Sequence, residues 1–353
     1  MRSTQFIRHT VAATVVTVAA GLTLSCSSDS EPTTDACPPP PSANTATADG
    51  WLGYLAQHGD DTGLVLDTGT GTTVEHREND RQPLASAVKV VHLAAYARAV
   101  AGGALDPNER VQVTDWERWY FPGTDGGAHP KALARLGGPS DVTLDQLVGA
   151  MIQESDNAAA DYLLDRLGDR ALIDAANAGG WQNFTPATKL GSMLRARDSS
   201  ITVGTERDAA RRYANDPAYR AEMTAKPPPG YEQQAAWADT TEAGSAADLA
   251  SIHRSIATGS FGPGADVARR HLEWQPPTPG SVAVGFKGGS LAGVLTDAIY
   301  VRRDDGTVAT AVLLNRRMPK DPWVAAVTAL PEQALLIDAM QKKETAQRLQ
   351  CAV

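Results

Sequence analysis

The stretch SAVKVVHLAAYARAVA, residues 86–101, decides how the rest of the chain is read. Val88, Val90, Val91, Leu93, Ala94, Ala95 and Tyr96 leave it little polar face. The spacing predicts a helix from Ser86 to about Ala101, and a helix that is apolar nearly all round is one buried in a core. Ser86 and Lys89 stand one turn apart at its start, on one face and within hydrogen-bonding reach. A serine hydroxyl is a weak nucleophile until a neighbouring base takes its proton. Burial and nearby positive charge lower a lysine's pKa, which makes it a usable base near neutral pH. The start of the helix adds N–H donors and partial positive charge where an oxyanion would form. A capping serine beside a chance lysine would look the same, so the tetrad needs company.

Two other segments supply it. Lysine is scarce, eight among 32 basic residues, so a lysine inside a motif is informative. Lys287, in Lys287-Gly288-Gly289-Ser290, is the one lysine followed by glycine. The motif is expected to end a strand, where paired glycines let a ligand approach the backbone as an added edge strand would. Lys287 then offers a cation to an anionic substrate group. Ser155-Asp156-Asn157 falls in a stretch, Leu144–Leu167, with Leu147, Met151, Ala159, Tyr162 and Leu163 at helical spacing. A hydroxyl there can pass a proton to a leaving group, and an amide can orient a substrate amide. The same three residues also favour helix N-caps.

Around these motifs the period changes twice. A short helix at Trp51–Ala56 precedes two strands, Gly63–Asp67 and Thr72–His76, joined at Gly69–Gly71. Residues 105–275 read as helices and loops, with a loop at Pro227–Pro229. Three more strands follow, Val282–Phe286, Val294–Arg302 and Thr307–Asn315, the last two joined at Asp304-Asp305-Gly306. A helix from about Pro322 to Gln347 closes the chain, kinked near Pro331. Strands at both ends of a helical middle predict an α/β fold. Its sheet is antiparallel and five-stranded, built from both chain ends (about 50–85 and 275–350) and flanked by terminal helices. Residues 86–274 form an all-helical insertion.

The composition suits such a unit: 353 residues, 42% apolar and 21% charged, with a core-forming balance that excludes collagen and disulfide-scaffold classes. A net charge of −9 with no dense Lys/Arg block argues against nucleic acid as a partner. No cofactor and no metal is expected, and the chain reads as a monomer. Arg2, Arg8 and His9 precede an uncharged run ending Leu22-Thr23-Leu24-Ser25-Cys26, the pattern of a secretory signal over residues 1–25. The run is shorter than the ~18–20 residues that span a bilayer. Its end resembles the lipobox of bacterial lipoproteins, which implies lipidation at Cys26, although Thr23 stands where leucine is usual. Residues 26–49 are polar and Pro/Ser-rich, with Pro38–Pro41 stiffening them into a tether. The expected location is the outer face of the cell membrane, lipid-anchored, or the exterior as a secreted form. An exported compartment permits Cys37 and Cys351 to pair; the other reading is two unrelated thiols.

The order S-x-x-K, S-D-N, K-[TS]-G resembles the signature set of class A β-lactamases and penicillin-binding proteins. The resemblance covers roughly residues 45–350 and implies a β-lactamase/transpeptidase-like fold and a serine hydrolase working through an acyl-enzyme. It makes Ser86 the nucleophile, Lys89 its base or proton relay, and Ser155 the proton-shuttling serine. Asn157 would hold a substrate amide. Lys287 and Ser290 would hold its carboxylate, with Gly289 between them in the strand. The backbone N–H groups of Ser86 and Ser290 would form the oxyanion hole, and Tyr120, in Tyr120-Phe121-Pro122, would be the aromatic at the rim. The sequence also departs from the family. Gly288 replaces a hydroxyl residue, and no arginine follows Lys287 before Arg302. The glutamate that deacylates class A enzymes is missing from Thr185–Ser192, where the count from Ser155 places it. Glu206 has unmatched surroundings, and Glu154 is expected to point elsewhere. The expectation is therefore acylation of Ser86 by a β-lactam or a related amide or ester, with deacylation in doubt. Two alternatives stand beside it: a peptidoglycan DD-peptidase acting on stem-like peptides, and a non-catalytic cell-envelope binding lipoprotein.

Overall fold

The computed structural model describes residues 37–353. Cys26, the signal segment and the first part of the expected tether lie outside the described residues. Nine strands occur among them: β1 (Thr62–Asp67), β2 (Thr73–His76), β3 (Gln82–Pro83), β4 (Arg110–Gln112), β5 (Asp141–Thr143), β6 (Ala243–Gly244), β7 (Ser281–Leu291), β8 (Val294–Arg303) and β9 (Val308–Asn315). The main sheet has the order β2-β1-β9-β8-β7 and is antiparallel throughout. The five strands expected from the two chain ends are therefore all present, in one sheet. Two further two-stranded ladders were not foreseen: β4–β5 lies within the helical insertion, and β3–β6 ties residues 82–83 to it.

The sequences of β8 and β9, VLTDAIYVRR and VATAVLLN, are apolar on both sides, and nearly all of their residues are buried. Such strands need cover on both faces. Ala298, Tyr300, Val312 and Leu314 point into the larger core, shared with the helices Lys89–Ala101, Leu144–Gln153, Asn157–Ala178 and Ala246–Thr258. Leu295, Ile299, Val301, Ala311 and Leu313 point to the other face, where Trp51, Leu52, Leu55, Leu336 and Met340 cover them. The sheet thus separates two cores, and β7 is its free edge on the motif side.

Four local expectations need correction. The apolar stretch Leu144–Leu167 is two helices, Leu144–Gln153 and Asn157–Ala178, with Ser155-Asp156 in the break. Strand β7 does not stop before Lys287 but runs through Lys287-Gly288-Gly289-Ser290 to Leu291, because β8 continues to pair with it. The closing helix is three, Lys320–Ala329, Pro331–Gln341 and Lys343–Cys351; Leu330 at φ 48° breaks the chain beside the expected kink, and Lys342 breaks it again. Finally, the last tether residues already belong to the fold. Thr47 Oγ1 accepts from Gly50 N at 3.1 Å to cap the Ala48–Gln57 helix, and Thr45 Oγ1 donates to Pro322 O at 2.6 Å. Cys37 and Cys351 are both disulfide-bonded. No helix among the described residues is long and apolar enough to cross a membrane.

Candidate active site

The chain enters the buried helix through a strained corner. Ladder β3–β6 ends as Leu84 N donates to Glu242 O at 3.1 Å, and Ala85 then adopts φ 49°. A left-handed non-glycine residue costs roughly 1–2 kcal/mol. Ser86 follows on a single 3-10 turn, Ala85–Val88, where the spacing had predicted the first turn of an α-helix. The tighter turn still brings Lys89 beneath it: Nζ lies 2.9 Å from Ser86 Oγ.

Lys89 is fully buried. Its Nζ also lies 2.5 Å from Ser155 O, 2.6 Å from Asn157 Oδ1 and 3.3 Å from Ser155 Oγ. Burial first, then the Lys287 charge and that of Lys189, hold its pKa well below the ordinary lysine range. A neutral amine has two hydrogens and one lone pair. The carbonyl oxygens of Ser155 and Asn157 can only accept, so the two hydrogens go to them at the two shortest distances. The lone pair is then left for the Ser86 hydroxyl.

Ser155 sits in the helix break with φ 68°, again left-handed. That conformation places its hydroxyl between two lysines, because Lys287 Nζ donates to Ser155 Oγ at 3.0 Å and to Gly288 O at 2.6 Å. Lys287 is buried as well, and burial pushes its pKa down to about 7 against the pull of Asp297. Asp156, the middle residue of the motif, faces away. It caps the Asn157–Ala178 helix through Ala159 N at 2.7 Å and anchors His129 Nδ1 at 2.6 Å and Trp116 Nε1 at 3.2 Å. Its role is to hold the break in place.

Gly289 closes the site from the β7 side. A Cβ built there would meet Ser86 N at 2.3 Å and Ala87 N at 2.7 Å. Those are backbone atoms and cannot yield. We expect Gly289→Ala to slow acylation of Ser86 at least 100-fold and to lower stability by about 1–3 kcal/mol, the usual cost of overpacking. Stopped-flow acylation and a thermal melt check the two effects.

These groups open onto a cleft of about 850 Å³. Ser86, Ser155, Asn157, Lys287, Gly289 and Ser290 all line it, and Lys89 lies just beneath Ser86. Tyr120 does not line it. Its ring stacks on His129 at 4.3 Å, because Asp156 holds the imidazole there, and Thr124 to Gly126 form the rim instead. Glu154 is held by Arg135 at 2.6 and 2.9 Å, and Glu206 by Arg195 at 2.5 Å. Sequence reasoning missed the ion pair of Lys189 with Glu242, which lines the same cleft. Lysine scarcity was the available signal for Lys189. Its partner lies 53 residues away, beyond any local pattern. Among the described residues no group of three or more His, Cys, Asp or Glu side chains is arranged to hold a metal.

A model of the β-lactamase enzyme family matches residues 52–337, most of the chain and all of these motifs. The chain belongs to the β-lactamase enzyme family. Curated relatives include β-lactamase SME-1 of Serratia marcescens, 31% identical over 103 residues (29% of this chain, 32% of that protein). β-Lactamase AER-1 of Aeromonas hydrophila is 32% identical over 105 residues (30% and 32%). The chain thus spans about a third of the length of these curated relatives. The fold of this β-lactamase-family chain is shared with solved structures. A β-lactamase from Sphaerobacter thermophilus superimposes with TM-score 0.54 at 20% identity, over 80% of this chain and 95% of that one. One from Chitinophaga pinensis gives 0.53 at 16%, over 83% and 99%.

Proposed function

We propose that the protein is a serine hydrolase that forms an ester between Ser86 and the carbonyl of a β-lactam or a related amide or ester. One observation carries the reading: the Ser86 hydroxyl lies 2.9 Å from a buried lysine amine that also lies 2.5 Å from Ser155 O and 2.6 Å from Asn157 Oδ1. Lys89 takes the Ser86 proton as Oγ attacks the carbonyl carbon. Ser155 Oγ, within reach of both lysines, passes a proton to the departing nitrogen or oxygen. Lys287 and Ser290 bind a substrate carboxylate, and the N–H groups of Ser86 and Ser290 take the developing oxyanion. Asn157 gives its carbonyl oxygen to Lys89 and keeps its NH₂ to donate to the substrate. The signal-like segment ending at Cys26 supports an exported protein held by lipid on the outer face of the membrane.

A DD-peptidase would use the same residues. The cleft favours that second reading in one respect: it continues past Gly288 to Trp323, Val327 and Leu330, room for an extended peptide. The full-length chain mixed with a fluorescent penicillin tests both. Intact-mass measurement is expected to find one acyl group, mapped to Ser86 and absent from Ser86→Ala. A transient adduct supports hydrolysis of the antibiotic, and a long-lived one supports the peptidase. The acyl-enzyme reading fails if wild type gains no mass.

A further inference from the structure

An ester on Ser86 is released only if water attacks it and a base accepts the water's proton. Five carboxylates line the cleft: Asp125, Glu154, Glu206, Glu242 and Asp297. Four are committed or turned away. Asp125 accepts from Gly127 N at 3.0 Å and His129 N at 2.8 Å. Glu154 is gripped by both arms of Arg135, and Glu206 by Arg195. Asp297 is opposite Gly288 in the β7–β8 register, one residue out of phase with Lys287 and so on the other face of the sheet.

Glu242 is different. Its backbone oxygen accepts from Leu84 N, two residues before Ser86, so the ladder that aims the nucleophile also fixes this residue. Its side chain is 8% exposed, and Oε2 pairs with Lys189 Nζ. Oε1 is buried with no hydrogen-bond partner. A second polar atom of a residue lining the same cleft is orphaned in the same way. Ser192 lies three residues after Lys189 on the Lys189–Arg197 helix, on the same face, lines the same cleft, and has a buried Oγ without a partner. Two unpartnered polar atoms bordering one cleft are a setting in which a water is held.

We propose that Glu242 is the catalytic base of deacylation, with Ser192 positioning the attacking water. The inference rests on the acyl-enzyme reading above. Glu242 Oε1 takes one proton as the water oxygen bonds to the acyl carbon. The tetrahedral intermediate then collapses, the bond from carbon to Ser86 Oγ breaks, and the proton returns to Oγ through Lys89 or Ser155. The acid product leaves, and no further reactant is needed. Lys189 pairs with Oε2 and so leaves Oε1 for the water.

The test follows the decay of the Ser86 adduct in the full-length chain after a pulse of the same fluorescent penicillin. Glu242→Gln is expected to acylate at the wild-type rate, which reports an intact site, and to release the product at least 100-fold more slowly. Ser192→Ala should slow release about tenfold without changing acylation. Equal decay in wild type and Glu242→Gln overturns the role of Glu242, as does a wild-type adduct that never decays. Absence of any wild-type adduct is distinguishable from both, since it removes the acyl-enzyme reading itself and this role with it. Should Glu242→Gln fail to fold, Glu242→Asp takes its place: it keeps the charge but retracts it, and is expected to slow release about tenfold. Wild-type release in both Glu242→Asp and Ser192→Ala overturns the proposal.

Discussion

Acylation of Ser86 is expected to fall by about three orders of magnitude when Lys89 is replaced by methionine, within the range that a positioned general base contributes. Methionine matches the length of the lysine stem and suits an apolar site, but it has no lone pair that can accept the serine proton. The pH profile separates this from a packing defect. In wild type burial, then the charges of Lys287 and Lys189, hold the amine's pKa well below the lysine range, so the rate rises with pH through that depressed pKa and is flat above it. In Lys89→Met the residual rate should climb about tenfold per pH unit with no plateau, since hydroxide replaces the amine. Stopped-flow fluorescence with the labelled penicillin measures both. A variant within tenfold of wild type would contradict the role assigned to Lys89.

The second large effect concerns stability. Asp297 on β8 and Glu332 in the first turn of the Pro331–Gln341 helix are buried side by side. Burial, then the charge of Asp297, pushes the Glu332 carboxyl up to about 8, and burial pushes Asp297 up to about 6. Both folded-state values lie above those of the unfolded chain, near 4. The contribution of such groups is complete below about pH 4 and is lost as pH rises to about 8. Glu332→Gln keeps the shape and removes the titration. It is expected to be more stable than wild type at pH 8.5 by ~2 kcal/mol, discounted from the full shift because the pair shares a proton. That corresponds to a melting temperature higher by about 5 °C. At pH 5 the advantage should vanish. Calorimetry at the two pH values decides, and an equal deficit at both would show that Glu332 serves only to pack.

What could be read from the chain follows from how locally each feature is encoded. S-x-x-K works as a pattern because one turn of helix, α or 3-10, brings residues three apart together, so Ser86 and Lys89 meet in either case. Lys287 was legible because glycine pairs beside lysine are rare here. The break at Ser155 was not, because the apolar period of Leu144–Gln153 resumes in Asn157–Ala178 and the left-handed residue leaves no mark in the spacing. The length of β7 was misjudged for a related reason. Glycines weaken a strand on their own, and here the pairing with β8 supplies what they lack. Tyr120 was drawn from the rim by the His129 that Asp156 holds, and Ser192 and Glu242, 50 positions apart, reach one cleft only once the segment between them has folded. Contacts of that kind carry no local signature.

Gly288 and Gly289 are adjacent, yet they differ in what evolution can do with them. A side chain at 289 would strike the backbone that presents Ser86, and no substitution elsewhere relieves a clash with main-chain atoms. At 288 a Cβ would come within 2.7 Å of the tip of the Phe286 ring and 2.9 Å of Asp297 Oδ1, both of them side-chain atoms. A side chain at 288 would therefore require both of those side chains to shift, with Thr296 O at 3.1 Å giving slightly as well. Position 288 is thus closed by side chains that can rearrange, and position 289 by the main chain that carries the nucleophile.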